Sequence, residues 1–208
     1  MKLILGALFA VIALTLAQNP PPTASCFYQD FGIDYLCFLN LNNPDGFDNL
    51  TAITGTHLEN RTDADVTYIF RDSGSTTNIP SIICSQFPNL RTLDLTNFGI
   101  QTVAENSIAG CTGLTFFRIW RNQVTALPEN LFASTTNLTY IDIDNDQLTA
   151  LPENIFVPLT NLQTLEIRNN PYTLLPGGLF HSQTNLSTLI MDGCRISEVN
   201  QNWFVPLV

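Results

Sequence analysis

Residues 138–156 read LTYIDIDNDQLTALPENIF, and the same skeleton stands one step earlier at 114–132 as LTFFRIWRNQVTALPENLF and one step later at 162–180 as LQTLEIRNNPYTLLPGGLF. The step is 24 residues, and it continues in both directions, with segments beginning at Leu90, Leu114, Leu138, Leu162 and Leu186. In the clearest three, apolar residues fall at positions 1, 4, 6 and 11, Leu-Pro at 14 and 15, and Phe at 19. In the second segment these are Leu114, Phe117, Ile119, Val124, Leu127, Pro128 and Phe132. A degenerate earlier turn starts at Val66 and keeps the phase through Ile69, Ile79, Pro80 and Cys84. Apolar residues at alternate positions 4 and 6 specify a short strand with one face inward. No turn of this kind buries its own apolar face, so stability must come from stacking neighbours.

The pattern LxxLxLxxN followed by LPxxxF resembles the extracellular, 24-residue form of the leucine-rich repeat family, over residues 66–208. That resemblance implies an α/β solenoid, a horseshoe of about six turns with short parallel strands on its concave face. The turns run 66–89 (degenerate), 90–113, 114–137, 138–161, 162–185 and 186–208. Asn122 and Asn170 at position 9 are placed to satisfy backbone groups where the chain turns inward, a match that matters because an unpaired buried group costs about 1–3 kcal/mol. Phe98, Asp146 and Cys194 interrupt that column, and Cys194 reads as a small buried replacement for the asparagine.

Residues 18–65 lack the repeat phase. The stretch 26–37 resembles the disulfide-closed N-terminal cap of extracellular repeat proteins, which implies a Cys26–Cys37 bridge. Spacing alone leaves three pairings open for the first four cysteines. The repeat phase favours Cys84–Cys111, because positions 19 and 22 of successive turns both point inward on the convex side. At the other end, the last turn stops at Val208 without a polar final turn, which leads us to expect exposed apolar core there. Either the chain is truncated or a partner covers the edge, for instance in an oligomer formed through it.

One lysine, then an apolar run over 3–17 broken only by Gly6 and Thr15, reads as a secretory signal ending at Ala17. Fifteen residues are too few to span a bilayer of about 30 Å, so no membrane span is expected in the mature chain. Loss of Lys2 leaves seven Arg against eighteen Asp and Glu, a net charge of −11 that repels phosphate backbones and argues against nucleic acid as a partner. Sequons at Asn49, Asn60, Asn137 and Asn185 are candidate glycosylation sites in a secreted chain. Asn137 and Asn185 share one phase, so sugars on both would keep that flank hydrated and free of partners.

Catalytic and metal motifs are missing from the sequence. The two histidines, His57 and His181, read as surface or loop residues, no HExxH or CxxC spacing supplies a zinc ligand set, and no GxSxG or phosphate-cradling glycine loop occurs. We therefore expect no cofactor, no metal and no enzymatic activity. Binding is the expected function, and positions 3, 5, 7 and 8 of each turn are expected to point outward and line the concave face. They supply Phe116, Arg118, Trp120, Arg121, Tyr140, Asp142, Asp144, Glu166 and Arg168. Aromatic and arginine side chains dominate binding hot spots, and Trp120 beside Arg121 is the sharpest such feature. Arg118 beside Asp142 on neighbouring strands also fits a plain ion pair, and the acidic residues fit a solvated face better than a cation site. Two functions share this scaffold: an innate-immune-type recognition module for an extracellular protein or glycan, and an adhesion or matrix protein that assembles with itself or with cell-surface proteins.

Overall fold

The computed structural model describes residues 23–43, 50 and 52–207; the leader at 1–17 and the sequon at Asn49 lie outside them. The described strands form one eight-stranded sheet in chain order. They are β1 (Thr23–Asp30), β2 (Tyr35–Asn43), β3 (Val66–Thr76), β4 (Thr92–Asp94), β5 (Phe116–Arg118), β6 (Tyr140–Asp142), β7 (Thr164–Glu166) and β8 (Thr188–Ile190). β1 and β2 pair antiparallel as a hairpin, and every later neighbour is parallel. From β4 to β8 the register is the repeat step itself: Thr92, Phe116, Tyr140, Thr164 and Thr188 stand side by side. This is the leucine-rich-repeat solenoid that the spacing implies.

The core follows the phase. Leu93, Phe117, Ile141 and Leu165 at position 4, and Leu95, Ile119, Ile143 and Ile167 at position 6, have no solvent exposure. Phe132, Phe156 and Phe180 stack through successive turns at ring separations of 6.2 and 6.4 Å, and Trp203 closes the column edge-on against Phe180. The convex side departs from a helical layer: its segments are turns, with one short α-helix, α1 (Ile82–Gln86), among the described residues. Leu-Pro heads three of these segments, and the carbonyls of Pro128, Pro152 and Pro176 accept from the N–H groups of Leu131, Ile155 and Leu179 in a turn at 3.2–3.3 Å. In the last turn Leu189, Met191, Cys194 and Ile196 are half-buried.

Polar ladders hold the turns in register. Asn122 Oδ1 accepts from the backbone N–H groups of Phe98 and Ile100 at 3.0 and 3.1 Å, while its Nδ2 donates to Leu95 O at 3.0 Å. Asn170 repeats this with Leu148 N and Ile143 O. At the same position Cys194 donates its thiol to Ile167 O at 3.3 Å, taking over one bond of the missing asparagine. A second ladder, invisible to the consensus, runs along position 24. Asn89, Asn137, Asn161 and Asn185 each donate from Nδ2 to a carbonyl one turn back, at 2.8–3.2 Å. Two of the sequon asparagines therefore hold turns together with the atom a sugar would occupy.

Two disulfides brace the N-terminal half. Cys26–Cys37 crosses the β1–β2 hairpin, and Cys84–Cys111 joins α1 to the next convex segment. The cap also contains a network around His57, which lies in a loop as its sequence reading has it but is held there by partners. Its ring stacks on Tyr28 at 4.1 Å, Nε2 lies 2.8 Å from Asp63 Oδ1, and Nδ1 lies 3.2 Å from the Tyr35 hydroxyl. Gln86 ties Asp63 to both backbone groups of Ile53. These bonds fasten the irregular segment 52–65 onto the hairpin, a structural task for residues whose types resemble a catalytic set.

Candidate functional site

Each strand from β4 to β8 is only three residues long, so its two outward positions are presented close to those of the neighbouring turns. Strand spacing of about 4.8 Å brings charges on adjacent turns within direct contact. Arg118 on β5 donates to Asp142 on β6 at 2.8 Å and to Asp94 on β4 at 3.3 Å, and its guanidinium lies 5.0 Å from the Phe116 ring centroid. Phe116 in turn stacks on Tyr140 at 4.5 Å. The Tyr140 hydroxyl donates to Glu166 at 2.6 Å, and burial together with that bond pushes its pKa up to about 12. Arg168 binds Asp144 at 2.7 Å and also pairs with Glu166. Burial opposes the charge on Arg118, but its bond to Tyr140 and the carboxylates of Asp94 and Asp142 keep it firmly protonated.

This network changes the picture of a solvated acidic face. Asp142 and Asp144 are 4% and 1% exposed, and burial raises the pKa of both against the pull of Arg118 and Arg168. With Glu166 their oxygens come within 4.8 Å of one another, yet arginines and Tyr140 already engage all three. Outward-facing positions in this turn are thus roofed by their neighbours rather than open to water.

Two hollows flank Trp120. One, of about 450 Å³ over β5–β7, is lined by Trp120 and Arg121 and by the paired groups just described. All the concave residues picked from the sequence line it except Phe116, which packs behind Tyr140. The other, of about 400 Å³ over β3–β5, is lined by Phe70, Arg71, Asp94, Thr96, Asn97, Arg118, Trp120 and Arg121. Phe70 and Arg71 belong to the degenerate turn, and the sequence reading did not select them. Beyond Phe70 lies a smaller, mainly apolar hollow walled by Phe31, Asp34, Leu36 and Tyr68, with Phe31 66% exposed.

Position 8 of the five regular turns has left-handed backbone. Asn97, Arg121, Asn145, Asn169 and Gly193 have φ of 58, 59, 56, 52 and 69°. Asn and Gly adopt that conformation readily, whereas a long side chain pays about 1–2 kcal/mol for it. Arg121 is the exception in the column, and its guanidinium sits over Trp120 at 4.1 Å.

A sequence profile described as a BspA type leucine rich repeat region matches in six copies across residues 77–206. The chain belongs to the leucine-rich repeat family. No curated protein matches it in sequence. Among solved structures, the APL1 leucine-rich repeat domain is similar at 19% identity and a TM-score of 0.71, covering 85% of this chain and 44% of that one. The LRIM1/APL1C complex is similar at 19% identity and 0.69, with 87% and 33% covered. The TLR13–ssRNA13 complex is similar at 20% and 0.64, with 69% and 20% covered. The chain therefore spans less than half the length of each, and at such identities the likeness carries the fold. Among the described residues no helix is long and apolar enough to cross a membrane.

Proposed function

We propose that this leucine-rich repeat chain is a secreted recognition module that binds an extracellular protein on its concave face, centred on Trp120. The carrying observation is Arg121: a bulky residue held at φ 59° where the other turns use Asn or Gly. Strain kept at a surface position needs a compensating use, and contact with a partner supplies one. The apolar leader, two disulfides and three sequons among the described residues support an extracellular setting. The similar structures include the LRIM1/APL1C complex, in accord with a protein partner. The adhesive reading draws on the half-exposed Leu189, Met191 and Ile196, and light scattering on the secreted protein tests it: a stable dimer supports it and a monomer refutes it.

The test is photo-crosslinking of the full chain in the extracellular fluid into which it is released. A benzophenone side chain replaces Trp120 in one sample and the exposed convex residue Val157 in another. Crosslinks to a distinct protein from position 120 but not from 157 are expected. Equal yields from both, or yields from 157 alone, would refute the concave reading.

A further inference from the structure

The arginines lining the two concave hollows fall into two kinds. Arg118 and Arg168 each contact two carboxylates. Among the described residues, Arg71 and Arg121 contact none. Arg71 donates from one terminal nitrogen to Gly74 O at 3.2 Å and faces the Phe98 ring, and its Nε is buried with no partner. Arg121 has only the face of Trp120. Asp94, the sole carboxylate lining the hollow among the described residues, is already occupied by Arg118 and by the backbone and hydroxyl of Thr96. Three guanidiniums thus face one carboxylate in a chain whose net charge is −10. Arg71 and Arg121 both line the hollow, and an anion entering it would supply the counter-charge that neither has among the described residues.

We propose that the β3–β5 hollow is a carboxylate site: an Asp or Glu of the partner protein docks between Arg71 and Arg121, with an apolar neighbour against Phe70 and Trp120. This rests on the concave-face reading above and gives it a ligand chemistry. The positive lining is local. On one side stand Phe31, Leu36, Tyr68 and the carboxylate of Asp34, and on the other Asp142, Asp144 and Glu166. A run of phosphates or sulfates laid along the concave face meets those carboxylates about 10 Å away, two strand spacings from β4 to β6. A single carboxylate beside an apolar side chain meets neither obstacle, which favours a peptide over a polyanion.

The test uses the full chain with three probes: the capped peptide acetyl-Gly-Glu-Phe-Gly-amide, its Gln counterpart, and a twelve-residue oligothymidylate. Binding is followed by calorimetry and by Trp emission. The Glu peptide should bind at least ten-fold more tightly than the Gln peptide. Arg121→Asn and Arg71→Gln should each remove at least ten-fold of that affinity, while Arg91→Gln, which deletes an exposed charge elsewhere, should leave it unchanged. Arg121→Asn suits the left-handed backbone and keeps the test valid if Arg71→Gln fails to fold. Equal binding of Glu and Gln peptides, or no binding of either at millimolar concentration, overturns the proposal. Arg-dependent binding of the oligothymidylate without the Glu peptide overturns it in favour of a polyanion. Crosslinking from position 120 with no Glu preference removes the carboxylate site and leaves the concave reading standing; no crosslinking with a clear Glu preference does the reverse.

Discussion

The two hollows beside Trp120 share a scaffold, a strand spacing and a comparable size, yet they differ in how their charges are met. Over β5–β7, the carboxylates of Asp142, Asp144 and Glu166 are closed off by Arg118, Arg168 and Tyr140. Over β3–β5, Arg71 and Arg121 stand without a counter-charge among the described residues. The first arrangement is saturated and does internal work; the second is unfinished. Charged residues on a binding face therefore divide by compensation, not by number.

Breaking the saturated side has the largest expected effect. Arg118→Ala leaves Asp142 buried and unpaired and strips Asp94 of its cation, and loss of one partner of a buried pair costs about 3–5 kcal/mol. Because Arg118 is about one-third exposed, we expect the lower end, about 3 kcal/mol, read as a shift in the urea midpoint. An unchanged midpoint would erase the distinction between the hollows.

Next in size is Asp146, beneath the saturated hollow in the position-9 ladder. Its Oδ1 accepts from Val124 N at 3.1 Å, but its buried Oδ2 has no partner, and burial pushes its pKa up to about 7. A protonated Oδ2 resembles the donor that Asn122 and Asn170 supply. The raised pKa means the folded state holds a proton that the unfolded chain releases near 3.8. The associated stability is full below that value and is lost as pH rises towards 7, the same sign as for Asp142 and Asp144. Asp146→Asn should therefore stabilise the protein by roughly 2 kcal/mol at pH 8 and by little at pH 4. Denaturation at both pH values checks this, and a gain independent of pH contradicts it.

The smallest effects sharpen the comparison from outside it. Asn161→Ala removes one bond of the position-24 ladder, to Thr136 O at 3.2 Å, and should cost about 0.5–1 kcal/mol in thermal denaturation. Asn161 lies in no sequon, so the loss isolates the structural role of the column from any sugar. A neutral result would leave the column as spacing without energy.

Much of this architecture is legible in the spacing of apolar residues. The 24-residue step places Leu93, Phe117, Ile141 and Leu165 in the core and brings Cys84 to Cys111. Those features are properties of phase, and phase survives in a single sequence. Compensation is not, because whether Asp142 is solvated depends on Arg118 one turn away and on the roof both form. The Asn/Gly column at position 8, broken by Arg121, was visible, but its meaning needed the backbone angle. Arg71 escaped because its place in the repeat, position 6, is a core position in every other turn. His57 escaped for a similar reason: its partners Tyr28, Tyr35 and Asp63 come from outside any repeat.

The most direct test of the central claim is a paired measurement on Arg121→Asn: stability by urea unfolding, and affinity for the Glu-containing capped peptide. If Arg121 is held at a strained position for binding, the variant gains about 1 kcal/mol of stability and loses at least ten-fold in affinity. A variant that is less stable and binds equally well would show that Arg121 serves the fold, and that the open hollow is not a site.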